Sequence, residues 1–71
     1  MPKFYSSSQI ICVLQKHGFL RISQKGSHIK YRKLGNPVLT AIIPANKKEI
    51  PIGTLKSILR QSRLEEKDFL K

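Results

Sequence analysis

His28, Lys30 and Arg32 fall on alternate positions of the stretch QKGSHIKYRK, which runs from Gln24 to Lys33. In an extended strand this spacing puts one imidazole and two cations on the same side of the chain. An imidazole titrates near neutrality and can take up or release a proton. Lysine and arginine can hold the charge that develops on a phosphate during its displacement. Breaking an RNA chain without a metal calls for these two services. A proton must leave the 2′-OH, another must reach the departing oxygen, and the phosphorus must be steadied in between. Lys25 lies close by, and counting in twos adds Arg21 and Ser23 to the same side as His28, Lys30 and Arg32.

A side chain on a strand acts only where the rest of the fold leaves it accessible. SSSQIICVLQKHG reads as a helix, with Ser6, Ser7 or Ser8 available to cap it and Ile10, Val13, Leu14 and His17 on one side. Gly18 is a left-handed stop. FLRISQ alternates, with Leu20 and Ile22 expected on one face and Phe19, Arg21 and Ser23 on the other. Lys25 and Gly26 suit a hairpin turn. HIKYRK alternates again and sets Ile29 and Tyr31 opposite His28, Lys30 and Arg32. LGNP is a second turn, VLTAII a third strand ended by Pro44, and IGTLKSILRQS a second helix with Leu55, Ile58 and Leu59 in a stripe, beginning near Thr54. The tail LEEKDFLK has room for one or two further helical turns.

The expected fold is therefore α+β in the order α-β-β-β-α, a three-stranded antiparallel sheet with both helices on one face. This is the layout of the double-stranded-RNA-binding domain, over a single domain of residues 1–71. Two amphipathic helices suffice to cover one face of such a sheet, and the face bearing His28 stays open.

Fourteen Lys and Arg against four Asp and Glu leave a formal charge of +10, which points to a polyanion or an acidic protein as partner. The four acids are Glu49, Glu65, Glu66 and Asp68, three of them crowded into the tail. No metal site and no cofactor are expected, because two-metal hydrolysis draws on converging carboxylates. One cysteine, Cys12, forms no internal disulfide and sits among apolar residues, so it reads as a buried, inert thiol. The apolar run around it is too short to span a membrane or serve as a signal peptide, and the cytoplasm is the expected location.

Each of these features also has a plainer reading. A strand histidine can be a hydrogen-bonding surface residue, and Gly26-Ser27 is a hairpin connection before it is a cradle for phosphate. His17, just before Gly18, reads as a helix-end residue complementing the helix dipole. Tyr31 reads as core, and Lys47 and Lys48 as a solvated loop. Spacing alone supports a basic RNA-binding module and no more.

Three segments taken together carry a resemblance to a known family. LQKHGF, QKGSHIKYRK and KEIPIGTLKSILRQSRL, in this order and at these separations, resemble the HicA toxins of HicAB toxin–antitoxin modules over about Ser8 to Phe69. The resemblance implies a small ribonuclease that cleaves messenger RNA and arrests growth. It implies that His28, in the G-S-H motif, is catalytic, with Gly26 and Ser27 forming the turn that presents it. It also implies a HicB-type antitoxin that covers the active surface, with DNA contact only through that complex. Lys25, Lys30, Arg32 and Arg21 are then expected to bind substrate. At Ile29 many members have a second histidine, while others have Ile or Val followed by Lys, the version that Ile29-Lys30 follows. The sequence departs from the pattern that the resemblance implies in PANKKEI, where another histidine is common, and at Ser62-Arg63, where Ala-Gly is usual. The chain is thus expected to be a metal-independent endoribonuclease. A non-catalytic RNA-binding module and a protein-interaction domain with a basic face are the alternatives.

Overall fold

A computed structural model describes residues 5–69. The order is α1 (Ser7–Lys16), β1 (Leu20–Lys25), β2 (His28–Lys33), β3 (Leu39–Pro44), α2 (Ile52–Ser62) and a closing 3-10 turn, Glu66–Phe69. The strands form one antiparallel sheet in the order β1-β2-β3, so the α+β layout expected from the sequence is the one observed. Leu70 and Lys71, the end of the expected tail helix, lie outside the described residues.

Of the three serines that could start α1, Ser6 does so. Its hydroxyl accepts from the Gln9 backbone N–H at 3.2 Å, and the Gln9 side chain accepts from the Ser6 N–H at 2.8 Å. This reciprocal pair satisfies two donors that a helix start otherwise leaves orphaned. His17 is the C-cap, and Gly18 follows at φ +94°, which turns the chain toward β1. α1 buries Ile10 and Leu14, one turn apart. Cys12, expected in the core, is instead exposed. It lies two residues from each of those anchors, roughly 200° around the helix.

The core joins Ile10 and Leu14 to Phe19, to Tyr31, Ala41 and Ile43 of the sheet, to Ile50, and to Leu55 and Ile58 of α2. α2 starts at Ile52 behind Pro51, with no side-chain cap, rather than near Thr54. Tyr5 and Phe69 stack at a tilt, 5.6 Å between ring centres, and so tie the two ends of the described chain together.

β1 departs from the expected alternation. Phe19 is buried at 1% exposure, while Leu20 and Ile22 are exposed at 65% and 47%. β1 is an edge strand, and Leu20 pairs with Arg32, so its side chain points to the open face while Phe19 turns to the helix side. A bulge between Arg21 and Ser23 then adds one residue to β1 and inverts its parity toward the hairpin. The free edge of β3 is closed in another way. The Ile42 N–H donates to the Gln61 side-chain oxygen of α2 at 3.0 Å, and Pro44, two residues on, has no N–H to leave exposed.

The segment after β3 is tied to the start of α1. Ser7, almost fully buried, donates its hydroxyl to the Pro44 carbonyl and accepts from the Lys47 N–H at 2.9 Å. The Ser7 N–H donates to the Lys47 carbonyl at 2.9 Å, and the Ile50 N–H donates to the Tyr5 carbonyl at 2.8 Å. At the other end of α2 the chain turns through Arg63 at φ +59°, a left-handed position that glycine adopts without strain. The buried Ser62 hydroxyl donates to the Ile58 carbonyl at 2.8 Å, and Leu64 returns to the core.

Two stability measurements check these local constraints. Arg63→Gly relieves the strain of a side chain in the left-handed region and is expected to stabilise the fold by about 0.5–1 kcal/mol, which for a domain this small raises Tm by roughly 2–8 °C. Ser7→Ala leaves two part-buried backbone groups without their side-chain partner and is expected to cost about 1–2 kcal/mol. Thermal or urea unfolding reads both, and an unchanged midpoint contradicts the respective assignment.

Candidate active site

The hairpin between β1 and β2 has a two-residue loop, Gly26 and Ser27, one residue later than the Lys25-Gly26 turn expected from the sequence. Gly26 takes φ +59° at the first loop position, as the type II′ pattern requires. Lys25 and His28 form the rung that closes the loop. Three hydrogen bonds hold the turn. The Ser27 carbonyl accepts from the Ala45 N–H at 2.6 Å, joining the turn to the chain leaving β3. The Gln24 side-chain amide donates to the Gly26 carbonyl at 3.1 Å, and Gln24 in turn accepts from the Arg21 guanidinium at 2.6 Å.

Register decides which side chains share a face, because directly opposed residues of an antiparallel pair point the same way. Along β2, His28, Lys30 and Arg32 lie on the face away from the helices, and Ile29 and Tyr31 on the helix side. On β1, Lys25 lies opposite His28, Ser23 opposite Lys30, and Leu20 opposite Arg32. On β3, Pro44, Ile42 and Thr40 flank the same three residues in turn. The sheet therefore brings His28, Lys25, Lys30 and Arg32 together on one open surface. His28 is exposed at the rim, and no hydrogen bond from another described residue reaches its ring.

Arg21 does not join them, which corrects the placement obtained by counting in twos. It pairs with Tyr31, and Gln24 pairs with Ile29, so both point to the other face. The bulge explains how residues three apart on a strand come to share a side and meet. Arg21 braces the turn through Gln24 instead of adding to the cationic row, and Gln24 is a residue that the sequence analysis missed. An i, i+3 pair of this kind is invisible to alternation unless the bulge is already known.

The open surface is also less uniformly basic than the row on β2 implied. Leu20, Ile42 and Pro44 lie on it, and Leu34 and Val38 are exposed beyond its far end. Arg32 is half-buried between Leu20 and Thr40, and its Nε is buried without a hydrogen-bond partner among the described residues. Lys30 is half-buried as well, whereas Lys25 is exposed.

The second histidine is remote. His17 ends α1 at the edge of the sheet where β1 begins, roughly 15–20 Å from the hairpin at about 3.3 Å per strand residue. Position 29, where the resemblance suggests a second histidine, faces the helices, so Ile29 removes nothing from the open surface. Among the described residues no three His, Cys, Asp or Glu side chains gather as metal ligands would, and no helix is long and apolar enough to cross a membrane. Chemically, the surface offers one solvent-accessible imidazole for proton transfer and three cations to hold an anion beside it.

Gly26 tests how this presentation depends on the turn. A Cβ at Gly26 would meet nothing within 4 Å, so Gly26→Ala carries backbone strain and no clash. It is expected to cost about 1–2 kcal/mol and to shift the backbone amide resonances of Lys25 to His28 while leaving those of α2 in place. Shifts spread evenly over the chain would contradict a strain confined to the turn.

A comparison with curated proteins gave no match. A family model described as the HicA toxin of bacterial toxin–antitoxin modules matches residues 7–64, which takes in both helices and all three strands. Order of elements, hairpin and match agree: the chain belongs to the HicA toxin family, whose members are the toxin half of a toxin–antitoxin pair.

Proposed function

We propose that this toxin is a metal-independent endoribonuclease that cuts messenger RNA in the cytoplasm, and that His28 carries the proton transfer. The observation that carries this reading is an exposed His28 at the head of a row of cations, with Lys25 directly across from it on the next strand. Neutral imidazole takes the proton of a 2′-OH, and the freed oxygen attacks the adjacent phosphorus. The bond to the 5′ oxygen breaks as the new bond forms, which leaves a 2′,3′-cyclic phosphate and a 5′-hydroxyl. The leaving oxygen takes its proton from imidazolium or from water. Lys25 and Lys30 neutralise the charge on the phosphoryl oxygens, where preorganised cations contribute most. Arg32 holds the backbone further along the row. Gly26 and Ser27 supply the turn that keeps the imidazole at the rim.

The antitoxin paired with this toxin is, on the same reading, a HicB-type protein that covers the open face. An acidic surface suits a chain of charge +10. The exposed Leu20, Leu34 and Val38 supply apolar area for such a contact. Any DNA contact belongs to that complex.

Cleavage of a single-stranded RNA in the presence of EDTA tests the chemistry. The parent protein is expected to cut under these conditions. His28→Ala is expected to cut about 10²–10⁴-fold more slowly, the usual worth of a positioned acid–base group, while binding RNA with affinity within a few-fold of the parent. Cleavage abolished by EDTA overturns metal independence. A parent that binds RNA without cutting it leaves a binding module of the same fold.

A further inference from the structure

The segment after β3 reads in sequence as a solvated loop, yet the fold fastens it beside the hairpin turn. The Ala45 N–H donates to the Ser27 carbonyl at 2.6 Å, so the chain leaving β3 runs along the G-S-H turn. Asn46, at φ +57°, then bends it. The next peptide is gripped on both sides of Lys47, whose N–H and carbonyl each meet Ser7 at 2.9 Å. With the Lys47 backbone turned toward Ser7, its side chain is left in solvent, and Lys48 is exposed beside it. Among the described residues the ion pair is Lys67 with Glu65, in the closing segment, so neither lysine is neutralised by a salt bridge and Glu49 stands exposed next to them. At no more than about 3.6 Å per residue, the Lys47 Cα lies within roughly 7 Å of the Ala45 Cα, and Ala45 borders Ser27. A lysine whose backbone is pinned, with its neighbour beside it, loses less freedom on binding than a pair on a free loop.

We infer that Lys47 and Lys48 form a second phosphate-binding site of the toxin, so that an RNA strand passes from Arg32 and Lys30 across His28 and on over the β3–α2 loop. This rests on the reading of the open face as an RNA surface. The line it defines continues the cationic row past the imidazole, with phosphate contacts on both sides of the scissile linkage. A strand held on both sides is fixed at its middle, where a single row of contacts on one side leaves the linkage free to swing.

The experiment measures affinity for a short mixed-sequence single-stranded RNA against salt concentration, in full-length protein carrying His28→Ala to prevent cutting. Adding Lys47→Ala and Lys48→Ala is expected to make the log–log slope shallower by about 1.4, two phosphates at about 0.7 each. Neither substitution touches the backbone groups that meet Ser7, and thermal unfolding is expected to be unchanged. A second protein with Lys56→Ala and Arg60→Ala, exposed residues of α2, loses the same charge and is expected to keep the parent slope. An unchanged slope in the loop variant overturns the inference, including the case in which that variant loses its antitoxin instead. So does an equal change in the α2 variant, which reports net charge alone. Because the readout is binding, a toxin that fails to cleave still decides the matter.

Discussion

The register of the β1–β2 hairpin is the constraint on which the remainder of the molecule depends. With Lys25 opposite His28, the apolar Ile29 and Tyr31 meet the helices and His28, Lys30 and Arg32 turn to the open face. A slip of one residue would exchange the two sets, because strand side chains alternate with a period of two. Lys30 and Arg32 would then lose their hydration under α1 and α2, and Tyr31 would lose its burial, so desolvation and hydrophobic terms penalise the same error. The loop that enforces this pairing depends on Gly26, whose positive φ other residues reach only with strain. A conformational requirement of one glycine is thereby converted into the exposure of one imidazole.

The two faces of the sheet divide the demands on a short chain. Nearly all fully buried apolar residues lie between the sheet and the helices, or where Tyr5 and Phe69 close the ends. A core of that size supplies roughly 3–5 kcal/mol net, which explains why so many backbone groups are tied by specific side chains. Ser7 bonds β3's end and the following loop to α1, Gln61 covers the β3 edge, and Ser62 stitches the end of α2. The open face contributes little to this core, so it can carry charge without disturbing it. It can equally be covered by an antitoxin, whose binding to the folded chain alone would add stability by mass action.

On the proposed reading, charge on the toxin would serve two partners, RNA and the antitoxin, at one surface. RNA backbone and an acidic protein both answer a net charge of +10, and the difference lies in what surrounds the cations. Around Arg32 the surface carries Leu20 and Thr40, and Leu34 and Val38 lie beyond. Around His28 it carries Lys25 and borders the loop with Lys47 and Lys48. The sheet is thus more apolar at one end and more basic at the other. Apolar area favours a protein contact, whereas phosphates need only the cations.

Local rules made much of this legible. Helix α1 and its serine cap, the glycine stop at Gly18, the burial of Tyr31 and the outward-facing row of His28, Lys30 and Arg32 all follow from patterns spanning a few residues, and the fold bears them out. What failed involved information from elsewhere in the fold. Cys12 lay in an apolar run, but the side of the helix that is buried depends on where the sheet stands. Leu20 and Ile22 alternate like core residues, yet Leu20 stands opposite Arg32 on the open face, and the bulge after Arg21 reverses which side chains face out. Arg21 was carried off the open face by that extra residue and became a brace for the turn. Lys47 of the β3–α2 loop acquired a fixed place because Ser7, 40 residues away in the chain, grips its backbone. Sequence by itself determined the elements and the chemistry available to them, since capping, periodicity and turn geometry act over a few bonds. Only the tertiary structure decided which groups share a surface, because strand register, edge position and long-range hydrogen bonds are set by residues that no local pattern connects.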